Sequence, residues 1–200
     1  MKPTTWGESG TTLAEVLVAT LFVSILSVMT VSFVRTALLS VRTLAVKSAV
    51  QEEVVMVVDL MRREVRMAGF GGSGRPVVGI RMARRDAMTV ASDVTGDADT
   101  DDANELMTYA YDAARAQLVR GTGGAPPQPF VSDVPPDGVE FRYFAADGTE
   151  LPAVASPDAL QSVAIRRVDV RVQVERPNPV PGAPRPLRSV IRAAICRRNP

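Results

Sequence analysis

Apolar and small residues run almost unbroken from Gly10 to Val34, and Glu15 is the only charge among them. A helix rises about 1.5 Å per residue, so roughly 20 such residues reach across a hydrocarbon core of about 30 Å. Beyond this run the helical period persists while polar residues enter. Leu38, Val41, Leu44 and Ala45 recur at helical spacing beside Arg35, Arg42 and Lys47. Val54, Val57, Val58, Met61, Val65 and Ala68 continue in steps of three and four, with Glu52, Glu53, Asp59, Arg62, Arg63 and Arg66 on other faces. No proline lies from Thr4 to Arg75 and no glycine from Thr11 to Ala68. The pattern therefore predicts one helix, roughly 85–90 Å long if continuous. Its first half is suited to lipid or to other helices, and its second half to packing on a globular head.

Gly69-Phe70-Gly71-Gly72-Ser73-Gly74-Arg75-Pro76 formally matches a dinucleotide-binding glycine pattern. Such a loop must follow a strand and open a helix. This one follows a helix and runs into proline, so it reads as a helix end and hinge. From Pro76 the chain changes to short strands and turns. Expected strands are Val77–Met82, Ala87–Ser92, Glu105–Tyr111, Gln117–Arg120, Gly138–Ala145, Ser162–Glu175 and Leu187–Cys196. Val139, Phe141 and Tyr143 alternate, and a β-branched ladder runs from Val163 to Val174 with a phase shift at Arg166-Arg167. Asp147-Gly148 signals a hairpin, and the proline-rich stretches Ala125–Pro129 and Arg176–Pro186 read as exposed connections. The expected class is α+β: a long N-terminal helix packed on a mainly antiparallel β-sheet head.

Composition narrows the chemistry. Two hundred residues make one ordinary domain plus an anchor, and a net charge of +1 gives no bulk attraction to nucleic acid. Histidine is missing from the sequence, which removes Ser-His-Asp and Cys-His nucleophile systems and histidine metal sites. No catalytic constellation remains, and the chain is not expected to be an enzyme. Cys196, the lone cysteine, cannot form an internal disulfide and reads as a small hydrophobe in a terminal strand, with pairing between chains as the alternative. Arg185, Arg188, Arg192, Arg197 and Arg198 read as a solvated sheet face rather than a nucleic-acid or acidic-partner site. One cluster could hold a cofactor. Asp97, Asp99, Asp101, Asp102 and Glu105 offer the hard oxygens that calcium takes in sets of six to eight. The first three fit the opening of a D-x-D-x-D loop. Asp102 stands where an EF-hand needs glycine, and Thr108 replaces the closing glutamate. The alternatives are a solvated acidic loop and a calcium site of another kind.

Gly10-Thr11-Thr12-Leu13-Ala14-Glu15 resembles the processing signal of type IV prepilins: a short polar leader, a glycine before the cut, then an apolar helix with glutamate at its fifth position. Thr11 stands where most members have phenylalanine, and the mid-helix proline common in major pilins is missing. Arg62-Arg-Glu-Val-Arg-Met-Ala-Gly-Phe-Gly71, Met107–Tyr111, Val139–Phe144 and Ile165–Val170 resemble segments of PilW/PulJ-type minor pilins. The resemblance implies a type IV pilin-like fold divided into a leader (1–10), a transmembrane and filament-core helix half (11–34), an amphipathic half with its hinge (35–75) and a β-rich head (76–200). It implies cleavage by a prepilin peptidase between Gly10 and Thr11, methylation at Thr11 and retention of the helix. The new amine at Thr11 can pair with Glu15 on its own or a neighbouring subunit, and in a packed apolar filament such a pair sets register. The implied partners are other major and minor pilins, the peptidase, the inner-membrane assembly platform and the membrane. The implied location is the inner membrane, single-pass with the head in the periplasm, and then the pilus surface. A type II secretion minor pseudopilin shares helix and head. A membrane-tethered binding or adhesive domain that never polymerises, held by an ordinary signal anchor, is the alternative of another class.

Overall fold

The computed structural model describes residues 12–199. Helix α1 spans Leu13–Met67 without interruption, as the missing glycine and proline require. The chain divides into two compact units, the first ending at Ala45 and the second beginning at Val46. In the first unit the apolar side chains of α1 are exposed. Leu13 is 80% and Phe33 74% accessible, and none of the most apolar 18-residue window is buried. This segment is long and apolar enough to cross a membrane.

In the second unit Val50, Val54, Val57, Val58, Met61 and Val65 form the buried stripe of α1. They join one hydrophobic core with residues of two antiparallel sheets. The first sheet has β1 (Ile80–Ala83), β2 (Ala87–Ala91), β3 (Leu106–Asp112), β4 (Gln117–Thr122) and β5 (Gln128–Val131) in sequential order. The second has the order β7-β6-β8-β9, from β6 (Val139–Phe144), β7 (Glu150–Leu151), β8 (Arg167–Arg176) and β9 (Leu187–Cys196). Short helix α2 (Ala159–Ala164) precedes β8. The sheets are tied together where Phe141 N donates to Arg85 O (2.8 Å) and the buried Tyr143 hydroxyl donates to Arg84 O (2.8 Å). The long helix packed on antiparallel sheets is the expected α+β arrangement.

The head departs from the sequence reading in several places. It holds two sheets instead of one. Ser162–Ala164 belongs to α2, so the ladder begins at Arg167 and the phase shift at Arg166-Arg167 is a helix end. Proline-bearing Gln128–Val131 is an edge strand, the position in which a missing N–H is tolerated. Arg197 is only 8% exposed rather than solvated, and its Nη1 donates to the carbonyls of Ser162 and Ile165 (3.1 Å to the latter) at the end of α2. Cys196 lies in the terminal strand as expected, but it is exposed.

Candidate functional sites: the helix head and the acidic loop

The N-terminal turn of α1 is held by Thr12 and Glu15. Thr12 N donates to Glu15 Oε2 (3.1 Å), and Glu15 N in turn donates to Thr12 Oγ1 (3.4 Å). This is the reciprocal pattern of a capping box, which satisfies two backbone donors at a helix start. The spacing Thr-x-x-Glu carried that signal in the sequence. Gly10 and Thr11, the expected processing residues, lie outside the described residues. Along the apolar half, the hydroxyls turn back on the helix. Thr20 Oγ1 donates to Leu17 O (2.9 Å), Ser24 Oγ to Thr20 O (2.7 Å), Ser27 Oγ to Val23 O (2.7 Å) and Thr30 Oγ1 to Leu26 O (2.8 Å). A hydroxyl bonded this way needs no water, so these polar residues remain compatible with an apolar surround.

The hinge and the acidic loop are one structure. Helix α1 ends at Met67, and Gly69 takes φ 84°, a conformation that glycine adopts without strain. Gly69 N donates to Ala91 O (2.9 Å), Asp93 N to Phe70 O (2.7 Å) and Gly72 N to Asp93 O (2.8 Å), so the glycine segment lies along the end of β2. A Cβ on Gly72 would stand 2.9 Å from Asp93 O, which explains the small residue there. The Asp93 carboxylate is fully buried. It accepts from Ser73 Oγ (2.6 Å), Ser73 N (3.2 Å) and Gly96 N (2.6 Å). The Ser73 hydroxyl, and then these backbone donors against the cost of burial, hold its pKa below the usual aspartate range.

From Asp93 the loop turns through Gly96 and Ala98, both at positive φ, and returns to β3 at Glu105. Carboxylate oxygens of Asp97, Asp99 and Glu105 all lie within 4.8 Å of one another. Asp101 and Asp102 are not part of that group. Asp101 N donates to Asp99 Oδ1 (3.1 Å), and Asp102 O accepts from Glu105 N (3.2 Å). Repulsion from Asp97 first, then burial and the charges of Glu105, Asp99 and Asp101, raises the Asp102 pKa. Glu105 is 1% exposed. Its Oε1 accepts from Val94 N (2.7 Å), Thr95 N (2.8 Å) and Thr95 Oγ1 (2.9 Å). Its Oε2 is buried and meets no donor among the described residues. The sequence places Asp93 at the start of the acidic stretch but gives it no role, and it gives no sign of Ser73. The signal for their pairing is tertiary, because twenty positions separate the two.

No family model matches the chain, and a search of curated proteins returns no match.

Proposed function

We propose that this chain is a minor pilin of a type IV pilus, trimmed after Gly10 and assembled through its N-terminal helix. The observation that carries the reading is the split character of α1. One half exposes apolar side chains, returns its hydroxyls to its own backbone and bears a single carboxylate, Glu15, at its head. The other half of the same helix supplies the valine and methionine stripe of a β-rich core. Glu15 caps the start of the helix, and in a bundle of such helices it has a second use, because it can take the amine that cleavage creates at Thr11. The resemblance of Gly10–Glu15 to prepilins supports the same conclusion. The head then stays outside the inner membrane and contacts neighbouring pilins at or near the filament tip.

The test is the intact mass and N-terminal sequence of the protein from membranes, with and without a prepilin peptidase. A peptidase-dependent start at Thr11, with one added methyl group, is the expected result. A chain still beginning at Met1 in the presence of the peptidase overturns it in favour of a tethered domain that does not polymerise.

A further inference from the structure

We propose that the loop between β2 and β3 binds one calcium ion through Asp97, Asp99 and Glu105. The spacing of the three carboxylates fits part of a calcium ligand shell. Calcium takes oxygens at about 2.3–2.6 Å, so two ligands on opposite sides of it stand roughly 4.6–5.2 Å apart and all others closer. The three carboxylates meet that limit, with oxygens no more than 4.8 Å from one another. Asp97 and Asp99 stand in the middle of the loop and Glu105 at its β3 end, so an ion here would tie the two together.

Glu105 supplies an independent reason. It is 1% exposed, and all the donors it receives fall on Oε1, while Oε2 is buried and unmatched among the described residues. A buried carboxylate oxygen without a donor is costly, and a cation removes that cost more completely than a neutral donor does. Among the described residues no salt bridge reaches Asp97, Asp99 or Glu105. The sequence has no lysine or arginine from Asp86 to Ala114. Arg81, which reaches the loop, donates instead to Thr100 Oγ1 (2.6 Å). The donor set also selects the metal. Histidine is missing and the one cysteine is at position 196, so soft metals find no ligand here. Magnesium wants near-ideal octahedral geometry at about 2.0–2.1 Å, whereas calcium accepts an irregular shell completed by backbone carbonyls and water.

The experiment uses the full chain in detergent, freed of metal with a chelator. Calcium binding is measured by equilibrium dialysis and thermal unfolding by circular dichroism. One calcium per chain is expected, with a Kd of about 0.1–1 mM, and a rise in melting midpoint of roughly 3–8 °C at about 10 mM calcium. Asp97→Asn with Asp99→Asn should weaken binding at least about tenfold. Both side chains are exposed, so the fold is expected to survive, and an unchanged circular dichroism spectrum checks this. Asp147→Asn, in the β6–β7 turn, should bind as the wild type does. Three outcomes overturn the proposal: no binding at about 10 mM calcium, undiminished binding by the folded double variant, or an equal stabilisation by magnesium.

Discussion

At the scale of single residues, Asp93 shows how a short side chain can stand in for secondary structure. The glycine-rich hinge pairs with the chain beyond β2 only through one short bridge, Gly71 to Asp93, and Asp93 adds three acceptor contacts from one buried carboxylate. Those contacts favour the ionised form, which gives a pH dependence of definite sign. The folded pKa lies below the ordinary aspartate value of about 3.9, so the folded state resists protonation. The stability this group contributes is fully present above about pH 4 and is lost as pH falls through the lowered folded value. Asp93→Asn removes the titration and one of the acceptor positions. The variant is expected to be less stable than the wild type at neutral pH, and the gap should narrow on acidification below about pH 4. Denaturant unfolding of both proteins at a series of pH values isolates this group, because the other carboxylates titrate in both. A gap that stays constant down to about pH 2.5 would show that Asp93 contributes no ionisation-linked stability.

At the scale of elements, α1 is fastened to the first sheet by more than apolar burial. Glu64 on the helix takes Arg120 of β4 (Nε to Oε1, 3.2 Å) and the hydroxyl of Tyr109 of β3. The pair is mostly buried, with side-chain exposures of 20% for Arg120 and 11% for Glu64. Burial, and next the Glu64 charge, raise the Tyr109 pKa well above the usual phenol range, so its hydroxyl remains a donor. Glu64→Ala strands Arg120 in a poorly solvated site and is expected to cost about 3 kcal/mol, whereas Tyr109→Phe removes one charged hydrogen bond at about 1.5 kcal/mol. A double-mutant cycle read by chemical denaturation should show coupling between them, and strictly additive effects would mean that the three side chains do not act as a unit. The apolar stripe that brings Glu64 to the sheet was legible, since Val57, Met61 and Val65 mark the buried face by spacing alone. The clamp was not, because its partners lie 45 and 56 positions away. Helix α2 was missed for a different reason. Val163 and Ile165 alternate as a strand would, and periodicity over so few residues cannot separate the two. The legible sign was the capping box of Asp158 and Gln161, both of whose hydrogen bonds form. Ser162 then faces inward, where its Oγ accepts from Ile80 N (2.9 Å), a contact between residues 82 positions apart.

At the scale of the whole molecule, a helix that is apolar on all sides at one end and half-buried in a domain at the other needs something to cover the exposed end. Under the proposed function, lipid would cover it before assembly and other helices would cover it in the filament. The hydrophobic core draws on no residue before Val46. A change at Glu15 should therefore leave the head intact and act on assembly alone. Locally, Glu15→Ala removes half of a capping box, worth about 1 kcal/mol at a helix start, which is too little to unfold a domain with its own core. In the filament the consequence is larger. The amine at Thr11 would enter an apolar surround with no carboxylate to meet it, and an unpaired charge there costs about 2.5–3.5 kcal/mol for each subunit. Such a penalty disfavours incorporation roughly a hundredfold. Glu15→Ala is thus expected to be cleaved normally, to remain in the membrane with a protease-resistant head, and to be missing from sheared filaments. Quantifying the variant in the membrane and filament fractions decides the matter. Recovery from filaments at the wild-type level would show that Glu15 serves only the helix start, and the register role would have to lie elsewhere in the apolar half.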